Sequence, residues 1–353
     1  MKEKSERNLG IDLLRIFAML MIIITHILGK GGIRDEVQDS VDVYYWVTWL
    51  IQVTAYGAVN CYALISGYVG IHSHYKYSKA LSLWLQVIFY TLGFALIFSL
   101  EGQTLTQKDW LKAFFPVITG QYWYITAYFG LLIFMPLLNI GLSKISNHDL
   151  KYLVIVAIFF FSVMPAMFDT RVDEFSFAKG FSMNWLTVLY IIGAYLKRLD
   201  LERLFKERTL LLIFAGSIAV TFIMKFIKGD IWYWYTSPSM LAGSIAIFIR
   251  FETLRIKRGG IGAKLITLFS STTLGVYLVH LNPLLVRFWL RDVFIPFVDF
   301  PIYFFPFLIL GTALLIFLIS ALIEILRNYL FRKLRILNFV AKIDTKFPFG
   351  RYN

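Results

Sequence analysis

The chain has 353 residues, of which 58% are hydrophobic, 18% aromatic and only 16% charged. Since a soluble domain carries about 25% charged residues, this composition excludes an ordinary soluble protein and predicts a polytopic membrane protein in contact with the lipid bilayer. The formal net charge of +13 does not indicate a nucleic-acid partner, because lysine and arginine accumulate in the cytoplasmic loops of membrane proteins.

Hydrophobic runs along the chain predict an all-α fold of about ten transmembrane helices, forming one domain over residues 1–353. About 20 apolar residues, each rising roughly 1.5 Å, cross the hydrocarbon core of a bilayer. The first run is too long for a cleaved signal peptide, so we expect it to remain as the first helix. The predicted spans are residues 11–29, 45–70, 80–100, 122–141, 150–167, 181–197, 208–226, 237–252, 266–286 and 302–326.

Lysine and arginine are distributed unevenly between alternate connections of these spans. The set of connections that includes both termini holds more than twice as many of them as the other set. Positive residues favour the cytoplasmic side, so the distribution predicts cytoplasmic N- and C-termini and an even number of spans.

The first span carries two polar side chains, Arg15 and His26, within apolar sequence. A charged group in hydrocarbon costs about 2.5–3.5 kcal/mol on insertion scales, which indicates a functional position. Eleven residues at about 100° each place both side chains on one helix face, separated by roughly 16 Å along the axis. Asp12 lies at an i,i+3 spacing that permits an ion pair with Arg15. The alternative is that Arg15 snorkels to the interface and His26 forms a buried interhelical hydrogen bond.

The second span ends in small residues and is followed by a basic loop. Ser66 and Gly67 allow a helix or a ligand to approach closely. Lys76 and Lys79 lie at the predicted cytoplasmic face. They could hold an anionic ligand, or they could be ordinary topology-determining charges.

Aromatic residues lie where two later segments meet the predicted outer face. Trp123 and Tyr124 begin a middle span, and residues 232–240 form a second aromatic segment. Such residues are typical of the aromatic belt of membrane proteins, but they could also form a stacking wall for a sugar.

The ninth span carries a second histidine, His280, shortly before Pro283. The proline is expected to bend or break this helix and to free backbone carbonyls. His280 could assist an acceptor, hydrogen-bond to His26, or fix the ninth helix to a neighbour.

The sequence predicts no metal site. Its one cysteine, Cys61, excludes a cysteine cluster and an intramolecular disulfide framework. His72 and His74 form a close pair, but no carboxylate or third histidine is nearby.

These segments, in this order, resemble the membrane-bound acyltransferase family 3, whose members are integral acyltransferases that modify bacterial surface glycans. The resemblance covers essentially the whole chain. It rests on Asp12-Leu-Leu-Arg15 with ten residues between Arg15 and His26, on Ser66-Gly67-Tyr68 before a basic loop, on Trp123-Tyr124, and on Tyr277-Leu-Val-His280.

The resemblance implies a multi-pass enzyme of the bacterial plasma membrane with acyl-CoA as co-substrate and no bound cofactor. It would move an acyl group, most often acetyl, from cytoplasmic acyl-CoA to a hydroxyl of a cell-surface polysaccharide or lipid-linked sugar at the outer face. His26 would serve as general base or would carry the acyl group itself.

The remaining candidate residues divide between the two substrates under this interpretation. A guanidinium suits phosphate, and lysines bind phosphate as point charges. The implied acyl-CoA-binding residues are Arg15, Lys76, Lys79, Ser66 and Gly67, with Asp12 supporting Arg15. The implied acceptor-side residues are Trp123, Tyr124 and His280.

A second function class is a transporter or flippase for a glycan or a lipid-linked intermediate. Transporters commonly show internal repeats with broken helices at matched positions, and this sequence has no recognisable repeat. A cation and a histidine three turns apart on one helix also favour acyl transfer. The sequence does not specify the acyl group, the acceptor sugar or the oligomeric state.

Overall fold

The computed structural model describes residues 7–71, 76–169, 173 and 175–342, so His72 and His74 lie outside the described residues. The described part contains helices and no β-strand, which confirms the predicted all-α class. In chain order the α-helices are α1 (Leu9–Gly29), α2 (Ile33–Glu36), α3 (Val43–Tyr56), α4 (Ala58–Gly70), α5 (Tyr77–Leu100), α6 (Gln107–Phe114), α7 (Trp123–Lys144), α8 (Asn147–Ile158), α9 (Met164–Met167), α10 (Met183–Leu196), α11 (Leu201–Leu204), α12 (Glu207–Lys228), α13 (Pro238–Glu252), α14 (Ile261–Ser270), α15 (Thr273–His280), α16 (Pro283–Leu285), α17 (Phe305–Lys333) and α18 (Ile336–Ala341).

Six helical segments of the described chain are long and apolar enough to cross a membrane. They are α1, α5, α7, the continuous segment from α8 to α9, α12 and α17. The pair α14 and α15, bent by 48°, would be a seventh. The other three predicted spans correspond to the shorter helices α10 and α13 and to the divided pair α3 and α4, so helix length alone does not establish ten crossings.

The predicted span 45–70 is divided at Gly57 between α3 and α4. The Ser244 hydroxyl donates to the Gly57 carbonyl at 3.0 Å, so α13 satisfies a carbonyl at the break. A Cβ at Gly57 would lie 2.9 Å from the same hydroxyl oxygen. The break therefore depends on close packing against α13, which the hydrophobic pattern of the span does not reveal.

Helix α1 lies at the centre of the bundle. It contacts α3, α4, α13, α14, α15 and α17, and its Leu14, Ala18, Ile23 and Leu28 are fully buried. Asn8 begins the helix by accepting from the Ile11 N–H at 3.1 Å. A helix that is surrounded on nearly every side holds its polar side chains in fixed positions.

Helices α4 and α10 pack with their backbones close together. A Cβ at Gly67 would lie 2.0 Å from the Tyr190 carbonyl, and one at Gly193 would lie 2.2 Å from the Leu64 carbonyl. Small residues permit this approach in membrane bundles. The close contact expected at Gly67 therefore exists, and its partner is the backbone of α10.

The ninth predicted span is broken at the expected place. Helix α15 ends at His280, and α16 begins at Pro283 after an Asn282 cap. The Asn282 side chain accepts from the Leu284 and Leu285 N–H groups at 3.0 and 3.3 Å. The proline and the cap together explain why the helix is interrupted and restarts at Pro283.

We name the two ends of the helix bundle after the residues near the two ends of α1. At the end nearer Arg15, called the Arg15 end, the Asn8 side chain donates to the Glu252 carbonyl at 2.9 Å. At the opposite end, called the Lys30 end, the Lys30 carbonyl accepts from the Asp292 N–H at 3.2 Å. These contacts attach both ends of α1 to distant parts of the chain.

Candidate active site

A cavity of about 340 Å³ runs beside α1, and both Arg15 and His26 line it. The helix face predicted to carry both side chains therefore borders this cavity. The wall also includes residues from α4, α5, α7 and α15, among them Tyr62, Ser66, Lys79, Trp123, Tyr124, Thr273 and Tyr277. We call this space the Arg15 cavity.

A second cavity, of about 740 Å³, lies toward the Lys30 end. We call it the Lys30 cavity. Five residues line both cavities, namely Thr25, His26, Trp123, Tyr235 and Tyr277. His26 therefore lies where spaces reaching toward opposite ends of the bundle meet.

His26 and His280 form a direct hydrogen bond. His26 Nδ1 lies 3.2 Å from His280 Nε2, and His280 Nδ1 lies 2.6 Å from the Val276 carbonyl oxygen. A carbonyl oxygen only accepts, so His280 Nδ1 carries the proton. In the neutral pair, His280 Nε2 then accepts from His26 Nδ1, which leaves a lone pair on His26 Nε2. That nitrogen has no hydrogen-bond partner among the described residues.

Arg15 is oriented by an ion pair with Asp12, whose oxygen lies 2.6 Å from Arg15 Nη1. Asp12 is fully buried and also pairs with Arg7, which donates in turn to the Ser270 hydroxyl at 3.1 Å. The remaining nitrogens of the Arg15 guanidinium have no partner in the described part of the chain. The Arg15 side chain, 28% exposed, can therefore donate to a bound anion.

The other residues predicted on the acyl-CoA side lie at different places. Lys79 and Ser66 line the Arg15 cavity, and the Ser66 hydroxyl donates to the Tyr62 carbonyl at 2.9 Å. Gly67 packs against α10 and does not line that cavity. Lys76 is exposed just before α5 and is likewise outside the cavity wall.

Trp123 and Tyr124 both face the cavities. Trp123 lines both of them and packs against Phe181, with ring centroids 4.6 Å apart. Tyr124 lines the Arg15 cavity and stacks on Tyr128 at 6.2 Å. These two residues form part of an aromatic wall of the cavities.

Two tyrosines at the site were not predicted as site residues. The buried Tyr122 donates to the Leu278 carbonyl at 2.8 Å and accepts from the Asn282 side chain at 3.1 Å. It therefore holds the end of α15, which carries His280. Tyr277 lines both cavities, and its buried hydroxyl proton has no acceptor among the described residues. Since Tyr277 lies one turn before His280, helical spacing in the motif could have identified it.

In the comparisons with known proteins, a family model described as an acyltransferase domain matches residues 8–321. The matched region extends from the cap of α1 into α17 and includes both histidines. No curated protein and no solved structure matches the chain.

Proposed function

The chain belongs to the acyltransferase 3 family, whose model matches residues 8–321, and from this premise we propose that it is a membrane O-acyltransferase. It transfers an acyl group, most simply acetyl, from acyl-CoA on one side of the bacterial plasma membrane to a sugar hydroxyl on the other. The sugar belongs to a cell-surface polysaccharide or a lipid-linked precursor. The observation that carries the proposal is the position of His26 where the two cavities meet.

The proposed orientation puts the Arg15 end and both termini in the cytoplasm, with ten crossings. The distribution of lysine and arginine between alternate connections supports it. In this orientation the Arg15 cavity opens toward cytoplasmic acyl-CoA, and the Lys30 cavity opens toward the acceptor.

Acyl-CoA enters the Arg15 cavity with its anionic groups near the cytoplasmic mouth. The unpaired nitrogens of Arg15 donate to a phosphate or a pantetheine carbonyl, and Lys79 adds a second positive charge at the same wall. Lys76 does not line the cavity, so it contacts only those CoA phosphates that remain outside it. The pantetheine arm then lies along α1 and brings the thioester to His26, roughly 16 Å from Arg15.

The chemistry begins at His26 Nε2, which accepts the proton of the acceptor hydroxyl as its oxygen attacks the thioester carbonyl. The carbon–sulfur bond breaks, and the departing CoA sulfur takes the proton from His26. His280 keeps the His26 ring in the required tautomer. In the other possible sequence the same Nε2 attacks the thioester carbonyl first, and the carbon–sulfur bond breaks to give an acyl-histidine and the CoA thiolate. The acceptor hydroxyl oxygen then attacks the acyl carbon, the carbon–nitrogen bond to His26 breaks, and the hydroxyl proton passes to the thiolate.

Tyr277 supplies the hydrogen bond that the reacting carbonyl oxygen needs. Its hydroxyl proton has no acceptor among the residues that the structure describes, and Tyr277 and His26 line both cavities. A donor held in place before the reaction stabilises the negative charge that develops on that oxygen.

A transporter for a glycan or lipid-linked intermediate remains the alternative, because cavities that meet from opposite ends could form a translocation path. The hydrogen bond between His280 and His26, which lies at the meeting point, favours acyl transfer. A translocation path has no need for an oriented imidazole with an unoccupied nitrogen.

The decisive experiment measures ester-linked acyl groups on the surface polysaccharide of a deletion strain complemented with wild type or His26→Ala. We expect ester loss in the deletion strain and rescue only by wild type, with His26→Ala reducing kcat by about 10²–10⁴-fold in membranes. His148→Ala, at an exposed histidine on α8, is the matched control and should rescue fully. Loss of the polymer from the surface, with intermediates retained inside, would instead establish transport.

A further inference from the structure

We propose that the acceptor is an anionic sugar whose carboxylate or phosphate binds Lys30 and Arg34 in the Lys30 cavity. The inference rests on the proposed function and names the class of acceptor. It predicts that the acylated hydroxyl lies on the charged sugar itself or on a sugar directly linked to it.

The charged side chains of the Lys30 cavity are predominantly positive. Its lining cations are Lys30, Arg34, Arg287 and Arg291, and its lining anions are Asp35 and Asp292. In the proposed orientation, these cations are four of the few lysines and arginines on the outer side of the chain. The positive-inside rule disfavours lysine and arginine on the outer side, so the presence of four of them around one cavity indicates an anionic ligand.

The cations differ in how far they are already neutralised. Arg287 is bound by both oxygens of Asp109, at 2.9 and 3.2 Å, and is therefore committed to that pair. Among the described residues, Arg34 and Arg291 have only long contacts to their neighbouring carboxylates, at 3.8 and 3.7 Å.

Lys30 is the least neutralised of the four. No carboxylate of the described residues lies within 4.0 Å of its ammonium group, and the side chain forms no hydrogen bond there. A lysine at the C-terminal end of α1 also interacts favourably with the helix dipole, which would explain its presence but not the cations around it.

The turn that carries Lys30 is tightly packed. The Lys30 N–H donates to the His26 carbonyl at 2.8 Å, and the Gly31 carbonyl accepts from the Phe294 N–H at 3.0 Å. A Cβ at Gly31 would lie 2.3 Å from the Phe294 ring, and Gly32 has a φ of +92°. The turn that carries Lys30 is therefore attached to the segment after α16, and this attachment fixes the distance of Lys30 from the histidines.

An aromatic wall faces these cations. Tyr56 and Tyr235 stack with ring centroids 4.3 Å apart, and Trp123 and Phe181 lie beside them. All four line the Lys30 cavity. Aromatic surface for a sugar ring together with a few placed charges is the usual composition of a specific small-molecule site.

Lys30 lies one helical turn after His26, and both line the same cavity. Side chains at this spacing are about 5–6 Å apart at Cβ. An anion held by Lys30 therefore lies within one or two sugar rings of the hydroxyl that His26 deprotonates, which limits the possible acylation positions.

The test uses polysaccharide from the deletion strain, freed of esters, as acceptor for the purified enzyme in lipid nanodiscs with radiolabelled acetyl-CoA. Three forms are compared: the native polymer, a carboxyl-reduced polymer, and a polymer treated to remove phosphate. We expect kcat/KM to fall at least tenfold for the form that lacks the recognised anion, which also identifies that anion as carboxylate or phosphate.

Lys30→Gln and Arg34→Gln should remove this preference by raising KM for the native polymer. Lys228→Gln, at an exposed lysine of the same end that does not line the cavity, is the matched control and should keep the preference. Equal transfer to all three polymers, or a preference retained in Lys30→Gln, would overturn the inference while acyl transfer stands. Absence of transfer to every polymer would overturn the proposed function, and the inference with it.

Discussion

The four ring nitrogens of His26 and His280 have different surroundings. His280 uses one nitrogen for the Val276 carbonyl and the other for His26, whereas His26 uses only Nδ1 for a hydrogen bond to a described residue. His280 is buried and oriented within its own helix, so it acts in our proposal as a positioning residue. The unoccupied Nε2 of His26 is the position at which substrate chemistry can begin.

At the same scale, we expect Tyr277→Phe to reduce kcat by about 10²–10³-fold with little change in KM for acetyl-CoA. Within the described part of the chain the hydroxyl proton has no acceptor, so removing the hydroxyl should not lower the melting temperature. Tyr122→Phe is the matched comparison, because it loses the hydrogen bond to the Leu278 carbonyl and should lower thermal stability. Unchanged kcat in Tyr277→Phe would exclude the tyrosine from oxyanion stabilisation.

At the scale of elements, α1 contributes most of the candidate site residues. It carries Asp12, Arg15 and His26, and it ends at the turn with Lys30. Helix α15 supplies Tyr277 and ends at His280, whose ring nitrogen contacts that of His26 on α1. The short α6 lies outside the predicted spans, yet its Asp109 binds Arg287 in the π-helical turn Val286–Leu290 after α16. This contact joins α6 to the wall of the Lys30 cavity.

The pair of Asp109 and Arg287 predicts an acid-sensitive contact. Hydrogen bonds from Arg287 hold the pKa of the Asp109 carboxyl well below its usual range. A depressed folded-state pKa contributes stability that is complete above the unfolded value, about 3.9, and is lost as pH falls below it. Asp109→Asn should therefore lower the melting temperature at neutral pH and reduce its dependence on pH below about 4.

The measurement is thermal unfolding in detergent between neutral pH and pH 3. Glu36→Gln, at an exposed carboxylate of the same end, is the control and should follow wild type. If Asp109→Asn and wild type lost stability in parallel on acidification, the contact would not contribute to folding.

At the scale of the whole molecule, charges buried in apolar surroundings hold helices together away from the site. Glu324 and Arg327 of α17 are both buried and pair at 2.6 Å. Tyr90 of α5 donates to Glu324 at 2.6 Å, and a Cβ at Gly275 of α15 would lie 2.3 Å from the same carboxylate. This cluster joins α5, α15 and α17 and thereby supports the helix that carries His280.

We expect Glu324→Ala to destabilise the protein by about 3–5 kcal/mol, because it leaves Arg327 buried without its carboxylate. Replacing both partners, as Glu324→Leu with Arg327→Met, should recover most of that loss, since no uncompensated charge remains. Denaturant-induced unfolding in mixed micelles measures the difference. Equal stability of wild type and Glu324→Ala would mean that water or lipid headgroups solvate Arg327 instead.

The proposed topology is tested with single cysteines in a Cys61→Ala background. Cys61 is the one cysteine of the sequence, so its replacement leaves a chain with no competing thiol. Lys108→Cys and Lys228→Cys should react with a membrane-impermeant maleimide in intact cells, whereas Lys144→Cys and Lys264→Cys should react only after permeabilisation. Labelling of both pairs from outside would contradict the assignment of ends and the side on which acyl-CoA binds.

The sequence by itself determined the features that depend on local periodicity. The composition established a membrane protein, the 3.6-residue repeat placed Arg15 and His26 on one face, and Pro283 predicted the break after α15. The ion pair of Asp12 with Arg15 follows from the same i,i+3 spacing. Apart from the composition, each of these features requires only residues that are close together in the chain.

Only the tertiary structure decided which distant residues meet. The bond between His26 and His280 joins residues 254 positions apart, and the Tyr122 contacts to Leu278 and Asn282 join residues 156 and 160 positions apart. The same limit explains why the sequence left Gly67 open between a helix contact and a ligand contact, and why it did not identify Lys30 as a residue of the site. Periodicity states which face of a helix is apolar, but packing selects the helix that covers that face and the space that stays open beside it.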